Sequence, residues 1–538
     1  MEANAKQIVK DYQTIKTSRM PMEANWDELR DIFFPQSDEI QSESPADAKV
    51  DRKCQYTDEP FQALQVLSAG LHSFLTGPTQ NWFALKVKDR KLANNAKVQA
   101  FIEELEITLR AAISNTNFDT EQDDFYAESA CYGSACMYIE EDEEEDLRFN
   151  SIPIKDIFWQ ENARGKIDRW WIRYRYTAYQ AVSRFGIENV SRVIQDEYNK
   201  SSASDTKYEF IFHVCPRDIR DESKQDSRNM PIASYWIEVD ERNIVQEGGF
   251  LESPFAYHRF YKRKQTPYGY SPCMMSLKSA KQLNQTLKIS LRAMSMAIDG
   301  PIDVPLNAYV GKIDLNPGKL LYRKGDEKMT PIRTNSQLAP ADWLVNYWSD
   351  SLKDGLFNKA IVALGDVTKR MHNLEVSELI AEKMVLLGPA VGRFQEEFAG
   401  NVISRSLAIL ARRGKLPEPP TELGDGFEYK IEFISPLAKA QRNNELQSIN
   451  AVLSTAGQMS QVTPEVIDNI DPDVTIREVG DVSGATTRIF RTPEKVQEIR
   501  EARLQAQQQQ EEVAAVQEGM NMAQQAQEID NGQQGSGS

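Results

Sequence analysis

Apolar residues in the first part of the chain recur at helical spacing. In NWDELRDIFFP, Trp26, Leu29, Ile32 and Phe33 fall on one side of a helix that Pro35 stops. FQALQVLSAGLHSFLTGP repeats the pattern at 61, 64, 67, 71, 74 and 75 and ends on the Gly77-Pro78 stop signal. NWFALKV then reads as a short strand, and 100–118 and 121–138 as further helices. From about residue 137 the period shifts towards two. CMYIEED, LRFNSIPIKDIFWQ and DRWWIRYRYT, followed by YEFIFHVCP, ASYWIEVDE, NIVQEGGF and FAYHRFYKR, are rich in aromatic and β-branched residues with turn residues between them. The polar, Ser-rich stretches 200–207 and 221–229 read as loops.

A second helical block follows Ser271-Pro272. Residues 273–298 carry apolar positions at 280, 283, 287, 291, 294 and 298, and Gly300-Pro301 ends them. At about 1.5 Å per residue this is a rod near 40 Å long. Residues 300–340 are turn-rich and strand-like, an insertion bracketed by helices. The next helix runs from about Ala341 to Leu364, with Trp343, Tyr347, Leu352, Leu356 and Leu364 on one broad apolar side. DVTKRMHNLE, 366–375, links it to a third helical run, Val376 to Arg413. Gly388-Pro389 should kink or interrupt that run, and Gly414 with Pro417, Pro419 and Pro420 ends it. FEYKIEFISP is a strand, 437–456 a helix, and 463–500 a mixed segment. From Leu504 the chain is Gln/Ala-rich, suited to a helical barrel with copies of itself or to disorder.

Composition narrows the class. With 538 residues, 41% apolar and 27% charged, the chain is globular and long enough for several domains. MEANAKQIVK has no apolar signal core, and no apolar run approaches the roughly 20 residues of a membrane helix. Cytosolic synthesis and no membrane insertion by this chain are the expectations. A net charge of −17 argues against a broad basic face that grips nucleic acid, though it permits a protein that meets nucleic acid without holding it. The five cysteines lack zinc-ribbon spacing, and His213 with Cys215 offers only two ligands; buried structural thiols and a core histidine are the simpler reading. EEDEEED, 140–146, lacks the glycine and alternating ligands of a calcium loop and reads as an acidic hairpin tip.

Catalytic signatures are missing. NPGKL lacks the upstream glycine and the Ser/Thr of a phosphate-binding loop, and there is no H-E-x-x-H, G-x-S-x-G or G-x-G-x-x-G. With four histidines, acid–base and metal chemistry have few players, although carboxylates alone can serve. The expectation is a protein that is not an enzyme and needs no cofactor or metal.

The order helix, strand-rich insertion, helix, short loop, long helix is unusual. Together with LSAGLHSFLTGPTQNWFALKV (67–87), GSACMYIEED (133–142), SPFAYHRFYKRKQTPYGYSP (253–272), VTKRMHNLEVSELI (367–380) and FISPLAKAQR (433–442), it resembles the head-to-tail connector, or portal, proteins of short-tailed, podovirus-type bacteriophages. The likeness covers about residues 5–500 and rests on the order and spacing of these segments.

The resemblance implies a mainly helical α+β, multi-domain portal fold in a ring of about twelve copies at one capsid vertex of the virion. Double-stranded DNA would pass through it during packaging and ejection. It further implies a wing with a small β-barrel at 1–265, stem helices at 266–299 and 341–365, and a clip at 300–340. A tunnel loop at 366–375, a long wing helix at 376–413, a crown at 414–503 and the Gln-rich tail at 504–538 complete the division. Implied partners are the terminase packaging motor, the tail adaptor, and the major capsid and scaffolding proteins. Lys369, Arg370 and His372 would ring the bore, and Lys278, Lys281, Lys288 and Arg292 would sit between neighbouring subunits or in the channel, or simply solvate the outer face. The competing readings are another virion structural protein without a DNA channel, such as an adaptor or minor capsid protein, and a metal-dependent nuclease.

Overall fold

The computed structural model describes residues 2–35, 55–78, 81–88, 95–200, 205–221, 223–224, 226–264, 266–298, 302–303, 330–331, 339–367, 387–423, 429–434, 448–459, 470–483, 495–503 and 505–506. They form two compact units. The larger takes Met1–Ala84, Leu105–Leu416 and Ser435–Leu437, and the smaller takes Leu85–Glu104, Pro417–Ile434 and Ala438–Ser538.

In the larger unit the periodic segments become helices α1 (Glu2–Phe33) and α2 (Glu59–Leu75), with Trp26, Leu29 and Phe33 buried. β1 (Phe83–Val87) and α3 (Ala96–Ser114), each divided between the larger and the smaller unit, precede α4 (Phe118–Tyr132). The helix expected over 121–138 stops early. Gly133 takes a left-handed φ of 79°, and its backbone packs so tightly that a β-carbon there would lie 2.8 Å from Ser271 N.

The strand-rich region follows the alternation closely. It holds β2 (Ser134–Asp142), β3 (Asp146–Ile152), β4 (Ile157–Glu161), β5 (Ile167–Thr177), the short helices α5 (Ala178–Phe185) and α6 (Arg192–Lys200), β6 (Lys207–Pro216), β7 (Ile232–Glu238), β8 (Asn243–Phe250) and β9 (Phe255–Arg259). The strands form two antiparallel sheets, ordered β4-β5-β6-β7-β8 and β3-β2-β9. These two sheets are what the described residues show where a small barrel was expected.

Period-two alternation sorts the side chains into layers. Phe158, Trp171, Ile211 and Ile237 face α1 and pack with Ala5, Ile8, Val9 and Tyr12. Their sequence neighbours face the smaller sheet: Trp170 meets Phe255 at 4.8 Å between ring centroids, and Phe212 meets Tyr138 at 6.0 Å. α1 is fixed by a buried arginine. Arg19 donates to the carbonyls of Ile154 (3.0 Å), Lys155 (2.8 Å) and Ile157 (2.5 Å), pairs with Glu23 and lies 3.6 Å over the Phe158 ring.

After the short ladder of β10 (Tyr261–Lys262) and β11 (Gly269–Tyr270) come α7 (Pro272–Ile298), α8 (Ala339–Gly355) and α9 (Asn358–Val367). Within the insertion, Ile302–Asp303 pairs antiparallel with Thr330–Pro331. The helix expected from 341 to 364 is broken. Phe357 takes φ 59° and is buried, so α9 leaves in a new direction. The return helix, 387–412, contains a π-turn at Phe394–Ala399 before Gly400–Arg412. In the smaller unit, Lys86 pairs with Glu432 on the strand Tyr429–Phe433 at 2.8 Å, and Pro472–Ser483 is helical.

Candidate functional site

The pair α7 and α8 carries the most unusual surface. Its root is well packed. Ser271 caps α7, its Oγ accepting from Met274 N at 2.9 Å and donating to Cys131 O at 2.7 Å. Cys273, Ser276, Ala280 and Leu283 are buried. The Ser279 and Ser351 hydroxyls meet at 3.1 Å across the two helices, and Gly355 lies directly against Ser276. Asn284 accepts from Tyr56 N at 2.8 Å, Lys281 pairs with Glu28, and Lys353 pairs with Glu59 at 2.7 Å.

Further along, the cover stops although the pattern does not. The stripe that begins with Ala280 and Leu283 continues as Leu291, Met294 and Ile298, which are 46%, 48% and 87% exposed. On α8, Trp343 and Tyr347 stack at 5.7 Å while 65% and 51% exposed. Ile289, Met296 and Leu344 extend the apolar surface. Exposed apolar area costs about 25 cal/mol per Å2 relative to burial, and a contiguous patch of this kind marks a protein contact surface.

Lys278, Lys281, Lys288 and Arg292 all lie exposed on the side of α7 away from its buried stripe. Lys281 is held by Glu28 and Lys288 lies 6.0 Å from the Tyr56 ring centre, whereas Lys278 and Arg292 make no ion pair among the described residues. Lys369, Arg370 and His372 lie outside the described residues. Asp366 and Val367, read as the start of their loop, belong to the last turn of α9.

The return helix is clasped to the sheets by charges that the apolar pattern did not reveal. The buried Arg259 donates from Nε to Glu397 at 3.1 Å and from its backbone N at 3.2 Å, and it also binds Glu161 and Gly165 O. Arg405 pairs with Glu252, and Arg412 reaches Glu252 at 3.0 Å and Glu141 at 2.6 Å. The acidic hairpin is a docking tip. Asp142 accepts from Glu144 N at 2.8 Å to close the turn, while Asp146 takes Arg413 at 2.7 Å and Lys415 at 2.5 Å. These partners hold both carboxyls below the usual aspartate range: backbone hydrogen bonds for Asp142, Lys415 and Arg413 for Asp146. The only advance signal was arginine and glutamate inside apolar-periodic runs.

His213, His258 and Glu128 are buried inside the larger unit. His213 stacks on Trp171 at 4.5 Å and meets Trp170 O at 2.9 Å, and burial lowers its pKa to about 4. His258 meets Ser129 Oγ at 2.7 Å, and burial likewise lowers it to about 4. Glu128 lines a 520 Å3 cavity with Phe34, Gln65, Ser68 and Tyr132, and burial raises its pKa to about 8. Among the described residues no group of three or more His, Cys, Asp and Glu is placed to hold a metal ion, and no helix is long and apolar enough to cross a membrane.

The described residues thus combine a helical hairpin, packed at its root and apolar and exposed at its tip, with a clasped sheet body. The chain belongs to the family of bacteriophage head to tail connecting proteins, which it matches over residues 5–490. It is similar to the portal protein of Salmonella phage epsilon15, 27% identical over 514 residues that cover 93% of this chain and 91% of that protein. It is also similar to the probable portal protein of Bordetella phage BPP-1, 24% identical over 543 aligned positions covering 99% and 97%.

Proposed function

We propose that this chain is the portal subunit of a short-tailed bacteriophage, closing a ring of about twelve copies through which double-stranded DNA is packaged and ejected. The observation that carries this reading is the uncovered half of the α7 stripe. The buried residues of the first half, Ala280 and Leu283, continue at helical spacing into the exposed Leu291, Met294 and Ile298, a surface suited to a neighbouring chain. A head-to-tail contact of one hairpin with the next satisfies every copy and closes without leaving an unpaired face.

In this reading residues 1–265 form the wing, α7 and α8 the stem, 300–340 the clip, and the segment from about 415 the crown. The clip docks the packaging motor and later the tail adaptor, and the outer surface meets capsid and scaffolding proteins. Lys369, Arg370 and His372 form the loop that touches DNA at the narrowest point. With −17 per copy the ring is strongly acidic, which keeps phosphate from binding the walls, and a few cationic contacts let the duplex slide. The role is structural, with the motor's ATP hydrolysis supplied by a separate chain.

Negative-stain imaging of the purified protein tests the ring. Closed rings of about a dozen copies with a central hole are expected. Solid particles, or monomers at micromolar concentration, point to an adaptor or minor capsid role and overturn the channel. In phage carrying Lys369→Ala with Arg370→Ala, rings should assemble while DNA retention or packaging falls. Full infectivity returns 366–375 to a plain linker. Exchange of bore-facing acids for lysine should slow packaging or ejection.

A further inference from the structure

Cys131 and Cys273 are distant in sequence and adjacent in the fold. Cys131 lies in the last turn of α4 and Cys273 in the first turn of α7, both with 0% exposure. Both are free thiols, and Cys273 lies close enough to help raise the Cys131 thiol. Two further contacts hold these helix ends together. Ser271 Oγ donates to the Cys131 carbonyl at 2.7 Å, and the left-handed Gly133 lets its backbone press against Tyr270 and Ser271 at a place where a β-carbon would stand 2.8 Å away. The end of α4 and the start of α7 already touch, so the two thiols are neighbours without any rearrangement of the helices.

We propose that Cys131 and Cys273 are a redox-controlled crosslink that ties the end of α4 to the root of α7. The reaction is thiol–disulfide exchange with a low-molecular-weight disulfide such as oxidised glutathione. The thiolate of one cysteine attacks the small disulfide, giving a mixed disulfide and one glutathione thiol. The second cysteine, losing its proton, displaces the second glutathione thiol and closes the protein disulfide. The protein loses two electrons and two protons, and the small disulfide gains them. Burial raises the Cys131 thiol well above its ordinary pKa, so thiolate is scarce and a reducing compartment keeps the pair open. Outside such a compartment the bond forms slowly and closes a loop of about 140 residues, restricting the unfolded chain. The junction it fixes is the one at which the sheet-bearing body passes into the helical hairpin.

The test uses the full chain in its assembled form, warmed to just below its unfolding midpoint with excess oxidised glutathione. The expected product is about 2 Da lighter, yields a peptide pair joined through Cys131 and Cys273, unfolds a few degrees higher, and reverts with dithiothreitol. Cys131→Ser and Cys273→Ser should each abolish the joined peptide, and Cys136→Ser should keep it. Thiols that stay free, cysteines that stop at single glutathione adducts, or a joined peptide from another pair would overturn the proposal. Peptide mapping of the parent protein decides the matter even where a serine variant fails to fold.

Discussion

Gly355 and Ser276 touch: the Ser276 hydroxyl occupies the space that a β-carbon on residue 355 would take. The contact joins the last turn of α8 to the first part of α7. It sets how the hairpin leaves the body and thereby where its bare tip points.

Gly355→Ala should therefore separate the helices and destabilise the protein by about 1–3 kcal/mol, the usual cost of overpacking. Adding Ser276→Ala removes the clashing oxygen and should recover a measurable part of the loss. Denaturant unfolding of the single and double variants checks the coupling, and strictly additive effects would mean the contact does not bind the helices.

The Arg259–Glu397 pair predicts a larger effect. Arg259 is 2% exposed, so Glu397→Ala strands a buried guanidinium that Glu161 only partly compensates. A loss of about 3–5 kcal/mol is expected in urea unfolding. Mutating the exposed Lys166, 3.9 Å from the equally exposed Glu396, should change stability little.

The buried titratable groups pull the pH profile in opposite directions. His213 and His258, lowered to about 4 by burial, are neutral in the folded protein. Between their ordinary value near 6.5 and about 4, the unfolded chain binds the extra proton, so stability falls as pH falls through that range. Glu128 does the reverse. Raised to about 8, it stays protonated when folded while the unfolded carboxyl ionises above its ordinary 4.5, so stability falls as pH rises from 4.5 to 8. Each slope reaches at most about 1.4 kcal/mol per pH unit. Glu128→Gln should flatten the alkaline side of a thermal-shift profile, and a steep loss that persists in this variant would assign it to another group.

The bare tip predicts association. Leu291→Asp with Tyr347→Asp places charge on the exposed apolar surface of α7 and α8 without touching their buried root. The variant should keep its far-UV circular dichroism and unfold normally as a monomer. Light scattering that still shows the full assembly would place the subunit contacts elsewhere.

Some of this was legible from local pattern. The strands β2 to β9 follow the alternation because one face of each is buried and the other meets a different layer. The rod 273–298 and its stripe were readable for the same reason, since a helix shows its packing face in its period. The break at Phe357 was not. Leu352, Leu356, Ala360 and Ile361 keep helical spacing across it, and the left-handed Phe357 is held where it is buried and Ile361 packs against Gly70 of α2. The early stop of α4 was legible only in part: Gly133 opens the strand segment GSACMYIEED, but helical spacing continues across it to 138, and the close packing of Gly133 against Ser271 marks where the helix ends.

The sequence by itself determined most of the helices and strands among the described residues, the acidic balance, and the block order by which the family can be recognised. Those properties depend on residue type and near-neighbour spacing. Only the tertiary structure decided which half of the α7 stripe is covered, which arginines meet which carboxylates, and that Cys131 lies beside Cys273. Each of these joins residues far apart in the chain, and nothing in local spacing encodes how such segments come together.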